Sequence, residues 1–214
     1  DSNKIVYKII LIGDSSVGKT CLFKKMTTGN FQEKNISTIG VDRKSLHLSI
    51  NIIEGNKEKK KQFEIQLWDT AGQERFRSIT KSYYKESQGL FLLYAITNRV
   101  SFDGLDKWIT GIRDSLGKEE NKYVIILLGN KVDLANEKPE MRKVNKSEAE
   151  KKCQDFGILW AGECSAKDFS DGELIDIFTK YTKEIYNKVG KIASNKNQVT
   201  IKCGEHKTQK DCSC

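Results

Sequence analysis

Residues 9–23 read IILIGDSSVGKTCLF. An unbroken apolar run meets a loop of small residues, the loop closes on Gly-Lys-Thr, and apolar residues resume at once. A run without polar alternation suits a strand buried on both faces, as in parallel sheets covered by helices. Short runs, nearly continuous in apolar character, recur at Val6–Ile12, Phe63–Trp68, Leu90–Ala95 and Val124–Leu128. Helical spacing separates them: Phe102, Leu105, Trp108, Ile109, Ile112 and Leu116 form one stripe, and Leu174, Ile177, Phe178, Tyr181, Ile185 and Val189 form another. The alternation predicts a doubly wound α/β fold around a mostly parallel six-stranded sheet. Val41–Ile53 alternates instead, with Leu46, Leu48, Ile50 and Ile52 on one side, and so predicts an antiparallel edge hairpin with Phe63–Trp68. The stretch between them, Glu54–Lys61, holds four Lys and two Glu and reads as a solvated loop.

The opening loop has the spacing G-x-x-x-x-G-K-[ST] at Gly13, Gly18, Lys19 and Thr20, between a strand and a helix. Small residues let backbone N–H groups curl around phosphate oxygens, and a helix start adds its positive end. Asp14, Ser15, Ser16, Val17 and Gly18, with Lys19, Thr20 and Cys21 opening the helix, are therefore the candidate phosphate cradle. Lys19 brings a charge to the β- and γ-phosphates, and the Thr20 hydroxyl is a candidate Mg²⁺ ligand.

The strand Val124–Leu128 runs into Gly129-Asn130-Lys131-Val132-Asp133, with Leu134 next. A carboxylate at a strand end accepts from two adjacent donors, and guanine offers such a pair on N1 and N2 whereas adenine does not. Asp133 is the candidate base-selecting residue, Asn130 the brace of its loop, and the Lys131 stem a candidate cover for the base plane. In Trp68-Asp69-Thr70-Ala71-Gly72-Gln73-Glu74, Asp69 suits Mg²⁺ held through water. Gly72 lets an N–H approach the γ-phosphate, and Gln73 is the candidate for orienting an attacking water. Thr38 is the candidate second hydroxyl on the metal.

Composition narrows the alternatives. The chain has 214 residues and a net charge of +8. Its lysines are diffuse, without interleaved aromatics, which argues against nucleic acid as a partner. No apolar stretch has the length of a transmembrane helix, and Asp1-Ser2-Asn3-Lys4 has no apolar targeting core, so a cytosolic chain is expected. Cys21, Cys153 and Cys164 are scattered singly and read as small buried apolar groups. The one proline, Pro139, reads as a loop residue. Residues 5–189 are expected to form one domain, and residues 190–214 a disordered tail in which, from Lys191 on, five Lys stand against two acids.

These motifs, in this order, resemble those of the Ras superfamily, and within it the Rab-type small GTPases. Ser37-Thr38-Ile39-Gly40-Val41-Asp42, the stretch WDTAGQERFRSIT at Trp68–Thr80, Tyr83-Tyr84 and the terminal Cys-Ser-Cys carry the likeness, which runs from about Tyr7 to Tyr186. The resemblance implies a small G domain that binds GTP or GDP with Mg²⁺, hydrolyses GTP slowly and regulates vesicle-mediated transport. It implies partners: an exchange factor, a GTPase-activating protein, a GDP-dissociation inhibitor or escort protein, and effectors reading residues near Asn35–Asp42 and Gly72–Tyr84. It places Phe31 on the guanine ring and the Ala166 N–H on the guanine carbonyl, within Ser165-Ala166-Lys167. It makes Cys212 and Cys214 lipid-bearing, anchoring a protein that cycles through the cytosol to the cytoplasmic face of an endomembrane or the plasma membrane. Arg43 departs from the resemblance where a Phe is usual and is expected to stack over Trp68 and Tyr83; Asn35 replaces a Tyr, and the Glu54–Lys61 loop is long. The competing readings are a metabolic P-loop ATPase or kinase, a scaffold that binds GTP constitutively, and a signalling GTPase of another Ras-like branch.

Overall fold

The computed structural model describes residues 4–31, 41–70, 83–117 and 122–190. Among them a six-stranded sheet runs in the order β2-β3-β1-β4-β5-β6, formed by β1 (Ile5–Ile12), β2 (Val41–Glu54), β3 (Lys57–Thr70), β4 (Gly89–Ala95), β5 (Val124–Asn130) and β6 (Leu159–Glu163). β2 is antiparallel to β3, and every other pairing is parallel. The helices are α1 (Lys19–Thr28), α2 (Arg99–Asp103), α3 (Leu105–Leu116), α4 (Val132–Glu137), α5 (Lys146–Phe156) and α6 (Asp171–Val189).

The nearly continuous apolar runs follow from having helices on both faces. In β1, Tyr7, Ile9 and Leu11 enter a core shared with Leu22, Phe178 and Ile185, while Ile10 and Ile12 enter a second core with Phe102, Trp108 and Ile112. β2 behaves as its alternation predicts: Ile50 and Ile52 are buried, while Ser49, Asn51 and Ile53 face out.

Four expectations need correction. Glu54–Lys61 is not a loop. β2 runs to Glu54 and β3 starts at Lys57, joined by the two-residue turn Gly55-Asn56. Gly55 has φ 62°, and positive φ at the first central residue alone is the II′ pattern that matches strand twist. Once the turn fixes the register, the charged residues continue as strand because their backbones pair across the hairpin. The helical stripe from Phe102 to Leu116 divides at Gly104 into α2 and α3. Cys153 and Cys164 are buried as expected, but Cys21 is only half-buried, since α1 turns that side toward the surface. Pro139 opens a 3-10 turn, Pro139–Met141, where its fixed φ suits a first helical position. The tail expected over 190–214 falls, from residue 191 on, outside the described residues. Among the described residues no helix is long and apolar enough to cross a membrane.

Candidate functional site

The carboxyl ends of β1, β3, β5 and β6 share one edge of the sheet, where open α/β folds bind ligands. The first loop is shaped by its glycines. A Cβ on Gly13 would lie 2.2 Å from the Leu93 carbonyl oxygen of β4, and one on Gly18 would lie 2.2 Å from Asn130 Nδ2. Both residues also have positive φ, 140° and 99°. Ser16, at φ 63°, bends the loop back between them.

Lys19 opens α1 and is buried. Its Nζ donates to the carbonyls of Gly13 (2.9 Å) and Asp14 (2.8 Å), so the loop folds around its own ammonium. No carboxylate forms an ion pair with it among the described residues. Burial pushes its pKa down to about 8, against the opposing pull of Asp69 and Asp14. A buried cation ringed by carbonyls and small residues is a site for an anion.

Thr20 Oγ1 donates to Asp69 Oδ2 at 2.6 Å, which joins α1 to the end of β3. Burial pushes the Asp69 carboxyl up from its usual range, opposed by the Thr20 hydroxyl and the Lys19 charge. Asp69 Oδ1 is buried without a hydrogen-bond partner. A hydroxyl and a carboxylate with an unused buried oxygen, beside an anion cradle, fit a hydrated Mg²⁺. Thr70 secures the strand end by donating from Oγ1 to the Leu11 carbonyl at 2.8 Å.

Asn130 joins three loops. Its Nδ2 donates to the Val17 carbonyl (2.9 Å), and its Oδ1 accepts from the Ala166 N–H (3.2 Å) and, weakly, the Cys164 thiol (3.7 Å). The adjacent Lys131 has φ 71°, which turns the chain sharply into α4 and sets Asp133, buried, in its first turn. Leu134 and Lys131 are half-buried beside it. The β6 loop is held in place by a bulge: two residues of β6, Ala161 and Gly162, answer one of β5, Leu128, and Gly162 has φ 95°. Ser165 Oγ then accepts from the N–H groups of Lys167 (3.1 Å) and Asp168 (2.9 Å), and Lys167 pairs with Glu137 at 3.6 Å.

The structure therefore gathers Asp14 to Cys21, Asp69, Asn130, Lys131, Asp133, Leu134 and Ser165 to Lys167 at one edge. Phe31 leans half-buried onto the core cluster of α1 and α6. The Asp14 side chain is turned outward from the cradle, with Oδ1 accepting from Trp108 Nε1 of α3 at 2.8 Å. The expected Arg43 stacking is present over Trp68, 5.6 Å from the guanidinium, but not over Tyr83 among the described residues; Tyr83 meets the Trp68 ring at 5.9 Å and Lys8 covers it at 4.5 Å. Thr38, Gly72, Gln73, Asn35, Cys203, Cys212 and Cys214 lie outside the described residues. Trp108 and the Gly162 bulge contribute to the site without any sequence signal for that role.

Residues 8–187 match the model of the Ras family. The chain belongs to the Ras family of small GTPases. It is a Rab-type member and a GTP hydrolase. It is 40% identical over 195 residues to Ras-related protein Rab-26 of Bos taurus, covering 91% of this chain and 69% of that protein. It is 41% identical over 189 residues to Rab-39A of Homo sapiens, covering 86% and 80%, and 38% identical over 209 residues to Rab-8B of Homo sapiens, covering 96% and 92%.

Proposed function

We propose that this Rab-type GTPase is a switch that alternates between GDP- and GTP-bound states and so directs vesicle-mediated membrane transport. The observation that carries the reading is the buried Lys19 ammonium, bonded among the described residues only to the Gly13 and Asp14 carbonyls at the mouth of a small-residue loop. A triphosphate tail supplies the charge that such a cation lacks. Asp133 would accept from guanine N1 and N2, with Asn130 holding its loop against the cradle. Thr20 and Asp69, with Thr38, would hold Mg²⁺, which when bound neutralises charge on the phosphate oxygens. Gln73 would orient the attacking water. Hydrolysis is slow without a GTPase-activating protein. An exchange factor reloads the site, effectors read the GTP form, and a GDP-dissociation inhibitor or escort protein carries the lipidated chain. Lipid on Cys212 and Cys214 places the switch on a cytoplasmic membrane face, and two chains give stable anchoring where one does not.

Titration calorimetry with Mg²⁺ tests the site. GDP and GTP should bind, and adenine nucleotides should bind about 10⁴-fold more weakly, the penalty for mismatching a polar site. Equal affinity for adenine and guanine nucleotides, or unchanged binding in Lys19→Ala, would overturn the proposal.

A further inference from the structure

The β2–β3 hairpin ends in a tip that nucleotide chemistry does not use. Phe63 is the first residue of β3 to pair with β1, opposite Ile5, and β3 begins six residues earlier at Lys57. At about 3.3 Å per residue the tip stands ~20 Å beyond the start of β1. It carries Lys57, Lys59, Lys60 and Lys61 against Glu54 and Glu58. Glu54 is engaged within the molecule, accepting from Tyr186 OH (2.6 Å) and pairing with Lys61 (2.8 Å) and Lys59 (3.1 Å). Lys57 and Lys60 are exposed and form no ion pair among the described residues. Ile53, opposite Glu58, is 74% exposed.

The tip is braced against the end of α6. Tyr186 meets Phe63 edge-on at 5.8 Å and lies under Lys61 at 5.6 Å, and Tyr7 OH donates to the Gly190 carbonyl at 2.8 Å. Gly190 is thus fixed near the start of β1, at the same end of the sheet as the hairpin tip, and residues 191–214 continue from there. The nucleotide loops lie at the other ends of the strands: Asp69 is twelve residues along β3 from Lys57, ~40 Å away.

We propose that this tip is a second membrane contact, in which Lys57 and Lys60 meet anionic headgroups and Ile53 enters the interface. The inference rests on the lipid-anchored reading above, because the anchored tail leaves from the same pole. Lys60 shares one face of the hairpin with Ile53 and Glu58, and Lys57 is on the other face, so unpaired ammonium groups flank the single exposed aliphatic side chain from both sides of the tip, which suits a surface without fixed geometry. One isoleucine is too little apolar area to seat a folded partner. An anionic leaflet attracts basic residues held within a Debye length, and a braced hairpin loses little freedom on meeting it.

The test is sedimentation of the full-length, unlipidated chain with vesicles of phosphatidylserine and phosphatidylcholine at about 0.15 M salt. The native chain should bind these and not pure phosphatidylcholine. Lys57→Glu with Lys60→Glu should lower partitioning at least tenfold, and Ile53→Ser several-fold, while neutralising Lys202, Lys207 and Lys210 leaves the tip's share in place. Circular dichroism and GDP binding should be native in the tip variants. Native-like partitioning of the tip variants would overturn the proposal by assigning membrane attraction to the tail. Binding to polyglutamate as tight as to vesicles, unaffected by Ile53→Ser, would overturn it in favour of an acidic protein. Loss of guanine selectivity in the native chain would sink the proposed function and leave this contact standing.

Discussion

Asn130→Ala removes one side chain and releases three loops. The carboxamide is buried, and so are Val17 and Ala166, the residues it bonds at 2.9 and 3.2 Å. Truncation leaves the Val17 carbonyl and the Ala166 N–H without these partners, at about 1–3 kcal/mol each for an unsatisfied buried group. The sum is about 2–6 kcal/mol, a large part of the 5–15 kcal/mol typical of a folded domain. For a domain of this size each 1 kcal/mol moves the midpoint by about 2–4 °C, so a fall of roughly 4–24 °C is expected. Thermal unfolding at two GDP concentrations checks this and also reads the ligand's own contribution, which grows with the logarithm of its concentration. GDP release should quicken as well, because the phosphate loop and the base loop are no longer tied. Asn130→Asp distinguishes the two bonds. It keeps an acceptor for Ala166 and sets an oxygen against the Val17 carbonyl, so it should lie near Asn130→Ala in stability if the Val17 bond dominates. A fall below 2 °C together with native GDP release in Asn130→Ala would refute the assignment of Asn130 as the brace.

Lys19 sets a pH dependence. Burial lowers its pKa in the folded state to about 8, so between about pH 8 and its ordinary value near 10.5 the unfolded chain binds more protons. Stability of the nucleotide-free protein should therefore rise through that window, with the desolvation cost present in full below it. GDP affinity should fall above pH 8 in the native chain and not in Lys19→Met, as read by calorimetry across pH 7 to 10. Gln73→Leu should keep GTP affinity and lose most turnover in a single-turnover assay; native hydrolysis would remove Gln73 from its role. Gly13→Ala should cost several kcal/mol in urea unfolding, because its Cβ would lie 2.2 Å from the Leu93 carbonyl oxygen at φ 140°, and a near-neutral value would mean that β4 yields.

Much of the fold was legible because burial on both faces leaves a mark that needs no partner to be seen. The runs at Leu90–Ala95 and Val124–Leu128 are apolar throughout and Val6–Ile12 is broken only by Lys8, and β1, β4 and β5 are where they stand. The weaker elements left fainter marks. β6, only half-buried, reads as Leu-Trp-Ala-Gly-Glu and has neither a clean run nor an alternation. α5 buries only Ala149 and Cys153, too few positions to form a stripe, and it went unread in the sequence; the structure starts it with a capping box between Asn145 and Glu148. The hairpin tip was misread because lysine content speaks of solvent, while strand pairing is a backbone property that charge does not forbid at an edge.

The sequence alone determined the chemistry on offer. A phosphate loop needs small residues and a lysine at fixed spacing, and those requirements are local, so they are written in consecutive positions from Gly13 to Thr20. Only the tertiary structure decided how that chemistry is held. Asn130 reaches Val17 across 113 residues and Ala166 across 36, Asp14 is drawn aside by Trp108, and Gly190 comes to rest at the hairpin tip's end of the sheet through Tyr7 and Tyr186. Each of those contacts depends on which strand ends lie side by side, and adjacency in a sheet is set by packing the whole core, not by any one segment of the chain.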